Sequence, residues 1–303
     1  MNGPFPALTP AQRYHFEIHG YVVVPGVLSR KECRTIMDAM QRTKQAIRAR
    51  PEEYTPGPGE PSFIIDLPHH VFMGAIREAD PVFAAYAAHP RLAGMAEEVI
   101  GGEARIVELN AQINSRNPKE KFTKEPKFGF HLGIDVLYGT HVKNSLLHCS
   151  FVKTLTNLTD LGPDDGGTVV VAGSHKLDLP EADIIACAYA DRSLIHQVIA
   201  PAGSTLLFAE TLIHATGQIR SDRERGIIVC GYGTRMFPWW DGGDMTPAFR
   251  KKSRRTWRRF FAAKPTGSGR RATARSPSPR TRGSSRSPMP GTRRRIKTAG
   301  GGP

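Results

Sequence analysis

The sequence contains no run of about 18 apolar residues, so it offers no candidate for a membrane-spanning helix. Its start, Met1-Asn2-Gly3-Pro4-Phe5-Pro6, lacks the basic region and apolar stretch of a secretory leader, and a soluble cytoplasmic protein without membrane contact is expected. Cysteine is sparse: Cys33, Cys149, Cys187 and Cys230 show no CxxC spacing, which argues against a disulfide framework and a structural zinc site. All four are expected to act as small buried hydrophobes. Acidic residues are missing from one region entirely, since residues 250–303 hold 18 Lys or Arg and no Asp or Glu. The formal charge of +14 therefore misdescribes the rest of the chain. Residues 1–249 carry 24 basic and 28 acidic groups, a net charge of −4.

These contrasts set the domain organisation. Residues 1–249 have the composition of a globular domain. Residues 250–303 form a basic Arg/Ser/Pro-rich tail with few large apolar groups, and ordering its backbone would cost roughly 1–2 kcal/mol per residue without compensating burial. A disordered tail is expected, able to touch nucleic acid through charge alone. The bland expectation for it is a solvated appendage.

In chain order, Thr9-Pro10-Ala11-Gln12 and Ser29-Arg30-Lys31-Glu32 each have the form of a capping box and predict helices within residues 9–48. Gly20 ends the first, and a short strand follows at residues 21–24. Cys33, Ile36, Met37, Met40 and Ile47 lie on one face of the second helix. Residues 50–62, rich in Pro and Gly, predict a loop long enough to form a lid, with His69 and His70 beyond it as a solvated pair. Two short helices are predicted over residues 80–100. From residue 103 the period changes to that of strands, at residues 105–113, 144–155, 168–172, 194–199, 204–208 and 226–232, and residues 117–126 are read as a loop. Alternating strand–helix units are absent. The fold expected is mainly β, a jelly roll with flanking N-terminal helices. One further helix is expected at residues 251–261, anchored by Trp257, Phe260 and Phe261.

The candidate site spans residues 128–225. Phe130-His131-Leu132-Gly133-Ile134-Asp135 opens it, and Leu212-Ile213-His214 closes it, with Arg225 eleven residues later. Between them runs Gly166-Gly167-Thr168-Val169-Val170-Val171-Ala172-Gly173-Ser174-His175-Lys176. Two imidazoles and a carboxylate on one face of a metal leave positions open for dioxygen and a bidentate co-substrate, the arrangement non-haem Fe(II) requires. Arg225 would supply a forked, permanently charged donor for the far carboxylate of a dicarboxylate.

The order of His131 with a nearby acid, the Gly-Gly…Gly-Ser-His-Lys block, His214 and Arg225 resembles the phytanoyl-CoA dioxygenase family. So do Leu8-Thr9-Pro10 with residues 20–29, and the run Asn157-Leu158-Thr159-Asp160-Leu161-Gly162-Pro163-Asp164-Asp165-Gly166-Gly167. The resemblance covers residues 8–240. It implies a double-stranded β-helix that uses Fe(II), 2-oxoglutarate and O2 to hydroxylate a small organic substrate, releasing succinate and CO2. By motif position, His131 and His214 would be metal ligands and Arg225 the 2-oxoglutarate anchor, with Gln112, Asn114 and Thr216 as further polar contacts.

The sequence departs from the family pattern His-x-Asp at Gly133. The nearest acid, Asp135, stands about 6.6 Å further along an extended chain, and would become a ligand if the chain bends at the glycine. His-x-Gly also resembles the iron halogenases, in which the missing carboxylate leaves room for a halide. Glu210 is a third possibility, but four residues of ideal strand separate it from His214 by about 13 Å, too far without a bulge. A metal-free β-helix serving as a binding module stands as the alternative from a different class. His148 is open to a structural or a cavity role. The ring of His175 is expected to hold its loop by hydrogen bonds, and His141 and His196 are read as surface or core.

Overall fold

The computed structural model describes residues 7–57, 59–234, 236–237, 245–253 and 257–261. The N-terminal signals act as written. Thr9 and Ser29 form complete capping boxes on α1 (Pro10–His19) and α2 (Arg30–Arg48), with β1 (Tyr21–Val24) between them. Next comes an antiparallel hairpin, β2 (Ser62–Leu67) and β3 (His70–Gly74), where only a loop and a solvated histidine pair were expected. Two helices follow, α3 (Pro81–Ala87) and α4 (Pro90–Ile100), then β4 (Arg105–Asn114). The single strand expected at residues 144–155 is divided. A short helix α5 (Val136–Gly139) leads into a small hairpin, β5 (Thr140–Lys143) with β6 (Leu146–Cys149), before β7 (Phe151–Asn157) begins. The remaining elements are β8 (Val169–Val171), α6 (Glu181–Ala190), β9 (Ile195–Gln197), β10 (Thr205–Ala209), β11 (His214–Ala215), β12 (Arg225–Gly233), α7 (Pro247–Lys252) and α8 (Arg258–Phe261). Helix α6 was not foreseen, and it carries Cys187 on its exposed side, which corrects the expectation that all four cysteines are buried.

The strands make a seven-stranded antiparallel sheet in the order β1-β10-β7-β12-β4-β3-β2 and a three-stranded one in the order β11-β8-β9. Because successive side chains on a strand face opposite ways, β12 divides its residues between two cores. Ile228 and Cys230 join the helices through a cluster that includes Ile36, Met40, Phe83 and Met95. Ile227 and Val229 face inward with Leu155, Leu206 and Phe208, against Val170, Val198 and Leu212 of the smaller-sheet side. This is the jelly-roll sandwich. Phe260 and Phe261 are buried in the helix-side core, so packed structure continues past residue 249. The expected tail from residue 262 onward lies outside the described residues.

One contact ties the N-terminal segment to the turn that carries His214. Gly20 takes the left-handed conformation, with φ of 79°, and closes α1 through its N–H to the Phe16 carbonyl at 2.8 Å. A Cβ added there would lie 2.4 Å from Cγ of His175, so only glycine admits the imidazole. Gly26 is also left-handed, φ 60°, but has nothing within 4 Å of a built Cβ. Denaturant unfolding should therefore separate the two. Gly26→Ala is expected to lose about 1–2 kcal/mol, the left-handed penalty alone, and Gly20→Ala at least ~1 kcal/mol more through overpacking.

Candidate active site

His131 and His214 come together across a strand bridge. The backbone N–H of His131 donates to the His214 carbonyl at 3.0 Å, the reciprocal bond is 2.9 Å, and the ring centroids are 4.4 Å apart. His214 lies at the edge of the small sheet, paired through β11 with Val170 of β8. Its Nδ1 is 2.8 Å from the Leu212 carbonyl, and Nδ1 of His131 is 3.2 Å from the Gly129 carbonyl. Each of these contacts favours the Nδ1–H tautomer and leaves Nε2 as the lone-pair donor, as a metal-binding imidazole requires. Burial, reinforced by His131, pulls the His214 pKa down to about 3. At neutral pH the ring carries no proton that a metal would have to displace.

Arg225 opens β12 and is 1 % exposed. Its Nη2 donates to Thr168 Oγ1 at 3.1 Å, while Nε and Nη1 have no hydrogen-bond partner. Burial lowers its pKa to about 10, which still leaves it charged at neutral pH. An enclosed guanidinium facing only a hydroxyl is an unbalanced charge and calls for an anion. His131, Thr168, His214 and Arg225 all line one cavity of about 150 Å³, walled by β4, β7, β10 and β12. Gln112 lines it too, and Thr216 borders both it and a neighbouring cavity of about 350 Å³ that also touches His69, His70 and Asn114. A roomier cleft of about 440 Å³ lies beside His15, Tyr21 and His196, but His196 is committed there, with Nδ1 2.7 Å from the Tyr21 hydroxyl and Nε2 3.0 Å from the Ser193 carbonyl. Size alone does not locate the site.

The carboxylate expected from Asp135 does not join the pair. Asp135 is exposed and caps α5, its Oδ1 accepting from the Leu137 N–H at 3.0 Å, because the chain turns into a helix directly after Ile134. Among the described residues no three His, Cys, Asp or Glu side chains stand ready as a metal cage. What occupies the space beside Gly133 is Glu210. A Cβ built on Gly133 would fall 1.8 Å from Glu210 Oε1 and 2.4 Å from its Cδ. The ideal-strand separation of Glu210 and His214 fails because β10 ends at Ala209 and residues 210–213 form a turn, closed by the Leu212 N–H to the Ala209 carbonyl at 2.9 Å. The Gly133 N–H consequently bonds the Glu210 carbonyl, also at 2.9 Å, two residues beyond the His131–His214 bridge.

The Gly173-Ser174-His175 block holds that turn. Ser174 Oγ accepts from the Ile213 N–H at 2.9 Å, and the His175 carbonyl accepts from Thr211 Oγ1 at 2.8 Å. The loop is thus fastened by a serine hydroxyl and a main-chain carbonyl, whereas the His175 ring was expected to do it. That ring packs on Gly20 instead. His148 lies at the α4 terminus against Gly101 and stacks on His141 at 5.4 Å, outside the cavity lining.

Lys153, unforeseen in the sequence, projects from β7 into the same cavity. Its Nζ is 2.7 Å from Glu210 Oε1 and 3.0 Å from Glu108 Oε1. Two buried carboxylates thus share one ammonium. Burial, with the Glu108 charge, pushes the Glu210 carboxyl up to about 7 against the pull of Lys153. Burial would lower the Lys153 pKa, but the two carboxylates outweigh it and hold the ammonium protonated. The alternation Glu108, Asn110, Gln112 on a buried strand was the available signal for a polar inner wall.

The decisive sequence comparison is a match of residues 16–227 to the phytanoyl-CoA dioxygenase (PhyH) family. The chain belongs to that family. Over 161 residues it is 26 % identical to ectoine dioxygenase of Stutzerimonas stutzeri (strain A1501), a match covering 53 % of this chain and 48 % of that protein, so the chain spans about half the length of this curated relative. Among solved structures it is similar to HygX from Streptomyces hygroscopicus with nickel and 2-oxoglutarate bound, at 23 % identity and a TM-score of 0.60, with 80 % of this chain and 94 % of HygX covered. It is also similar to EctD from S. alaskensis with bound Fe, at 19 % identity and a TM-score of 0.59, covering 78 % and 80 %. At such identities the likeness establishes the fold, the jelly roll described above.

The carboxylate–lysine–carboxylate arrangement generates a pH prediction. In Lys153→Met the Glu210 carboxyl loses the cation that opposes its burial, and its folded-state pKa rises further above the unfolded one. The folded state then binds more protons than the unfolded chain, so stability falls as pH rises through that window. Relative to wild type, the variant is expected to be less stable by about 3–5 kcal/mol at alkaline pH, with the deficit shrinking on acidification toward about pH 5. Urea unfolding of both proteins across the range checks it.

Proposed function

We propose that this protein is a non-haem Fe(II)- and 2-oxoglutarate-dependent dioxygenase that hydroxylates a small organic substrate. The observation that carries the reading is the unpaired guanidinium of Arg225, buried in the cavity that also holds the two imidazoles. The residues suit the cofactors. His131 and His214 offer neutral Nε2 donors for iron, and Arg225 with Thr168 offers charged and neutral donors for the far carboxylate of 2-oxoglutarate. When bound, iron and 2-oxoglutarate supply dioxygen activation coupled to decarboxylation, releasing succinate and CO2 and placing one oxygen atom on the substrate. The protein's part is to hold and orient. The Leu212 and Gly129 carbonyls fix the imidazole tautomers, and the apolar side chains of Leu155, Phe208, Ile227 and Val229 keep bulk water from the charged groups. Gln112 and Thr216 are suited to polar contacts with the co-substrate, and Asn114 to contacts from the adjoining cavity.

Hydroxylation is favoured over halogenation by a specific observation. In the halogenase reading, the space left by the missing side chain at position 133 would take a halide. Here Glu210 fills that space, and a second anion beside its carboxylate would be repelled. The inactive-module alternative would leave a buried, unpaired arginine with nothing to bind, at a cost of several kcal/mol. Small-molecule substrates are supported by cavity size and by the relatives, for HygX has also been solved with nickel, 2-oxoglutarate and hygromycin B bound.

The test is succinate formation from 2-oxoglutarate by the Fe(II)-loaded protein. Arg225→Gln is expected to raise the KM for 2-oxoglutarate about a hundredfold, the effect of truncating one partner of a buried charge pair. No succinate from wild type, or an unchanged KM in the variant, would contradict the reading.

A further inference from the structure

Position 133 has no side chain, and Asp135 is engaged elsewhere. We infer that the carboxylate arm of the metal site has been transposed to the turn that precedes β11, and that Glu210 supplies it in place of residue 133. This rests on the Fe(II) site proposed above and extends it to a residue that the family pattern does not use.

Three observations carry the inference. The first is steric. The atom nearest a Cβ built on Gly133 is Glu210 Oε1 at 1.8 Å, followed by Cδ at 2.4 Å, so the Glu210 carboxylate fills the volume that an aspartate side chain at 133 would need. Glycine at 133 and glutamate at 210 are therefore one coupled choice. Either residue alone can place a carboxylate there, and both together collide.

The second is the backbone. His131 and His214 are bonded to each other in both directions, and two residues along, the Gly133 N–H donates to the Glu210 carbonyl at 2.9 Å. The turn at residues 210–213 removes the distance that an extended strand would impose, and Ser174 and His175 fasten it through Ile213 and Thr211. Glu210 is thereby held opposite Gly133 by the same segment that presents His214. Among the described residues the three side chains do not stand as a ready metal cage, so coordination requires the Glu210 side chain to turn from Gly133 toward the imidazoles.

The third is the state of the carboxylate itself. Glu210 is 1 % exposed, and while Oε1 pairs with Lys153 at 2.7 Å, Oε2 has no hydrogen-bond partner. A buried carboxylate oxygen without a donor is costly. The group thus keeps one free donor atom while Lys153 steadies the other.

The test is anaerobic Co(II) titration of the full-length apo protein, read by visible absorption, with thermal unfolding as a check on folding. Glu210→Gln, isosteric and uncharged, is expected to weaken Co(II) binding at least about tenfold, while Asp135→Asn binds as wild type. Glu210→Ala should bind as weakly as Glu210→Gln or more weakly. Gly133→Asp alone is expected to unfold at lower temperature, because its Cβ falls on Glu210. The double variant Gly133→Asp/Glu210→Ala moves the carboxylate back across the ladder, and is expected to recover both stability and Co(II) affinity relative to the single variants. Wild-type affinity in Glu210→Gln would overturn the inference, as would a folded double variant that binds no better than Glu210→Ala. Failure of the broader reading looks different: wild type itself would bind no Co(II), or His214→Ala would bind it unimpaired.

Discussion

The structure depends on a buried positive charge that the protein leaves unbalanced. Arg225 is enclosed by the inner faces of both sheets, yet no carboxylate reaches it. Two residues earlier, Arg223 is paired with Asp165, so β12 enters the sheet with one arginine satisfied at the rim and the other held open inside. Removing a guanidinium from water costs several kcal/mol, and a fold retains such a group only where the surrounding elements over-determine its position. The long ladder to β4, in which Arg225 stands opposite Asn114, and the Thr168 hydroxyl supply that restraint.

Around this charge the sandwich sorts chemistry by strand face. Outward residues of the large sheet are committed to the helices, while inward positions carry Glu108, Gln112, Lys153 and Arg225 among apolar neighbours. The small sheet contributes His214, a single bridge sets His131 beside it, and the turn before β11 places Glu210 against Gly133. The N-terminal segment, distant in sequence, reinforces that turn, because the Gly20 carbonyl accepts from the Ala209 N–H at 3.0 Å while Gly20 itself seats the His175 ring. Helix cap, strand end, loop block and site thus form one connected unit.

Much of this was legible in the sequence. Capping boxes are local devices, and both formed as written. His131, His214 and Arg225 stood out because they punctuate strands bounded by glycine and proline turns, and the structure gathers all three around one cavity. The misses have physical reasons. The separation of Glu210 and His214 expected from an ideal strand does not hold, because the chain turns at residues 210–213. The β2–β3 hairpin was absorbed into the preceding Pro/Gly loop, although the apolar run at residues 63–65 and Val71-Phe72-Met73 signalled strands. Helix α6 buries only Ile184 and Ala188, too narrow a stripe to stand out by periodicity. Lys153 and Glu108 could not be paired in advance, since their meeting depends on the register of β7 and β4 on either side of β12.

The proposed function requires that Arg225 bind a dicarboxylate. Its most direct test is an anaerobic crystal structure with Mn(II) and 2-oxoglutarate. The expected result is a carboxylate of the ligand within hydrogen-bond distance of the free Arg225 nitrogens and Thr168 Oγ1, with the metal on His131 and His214. Density for 2-oxoglutarate elsewhere, or an Arg225 that pairs with a protein carboxylate and leaves the ligand unbound, would contradict it.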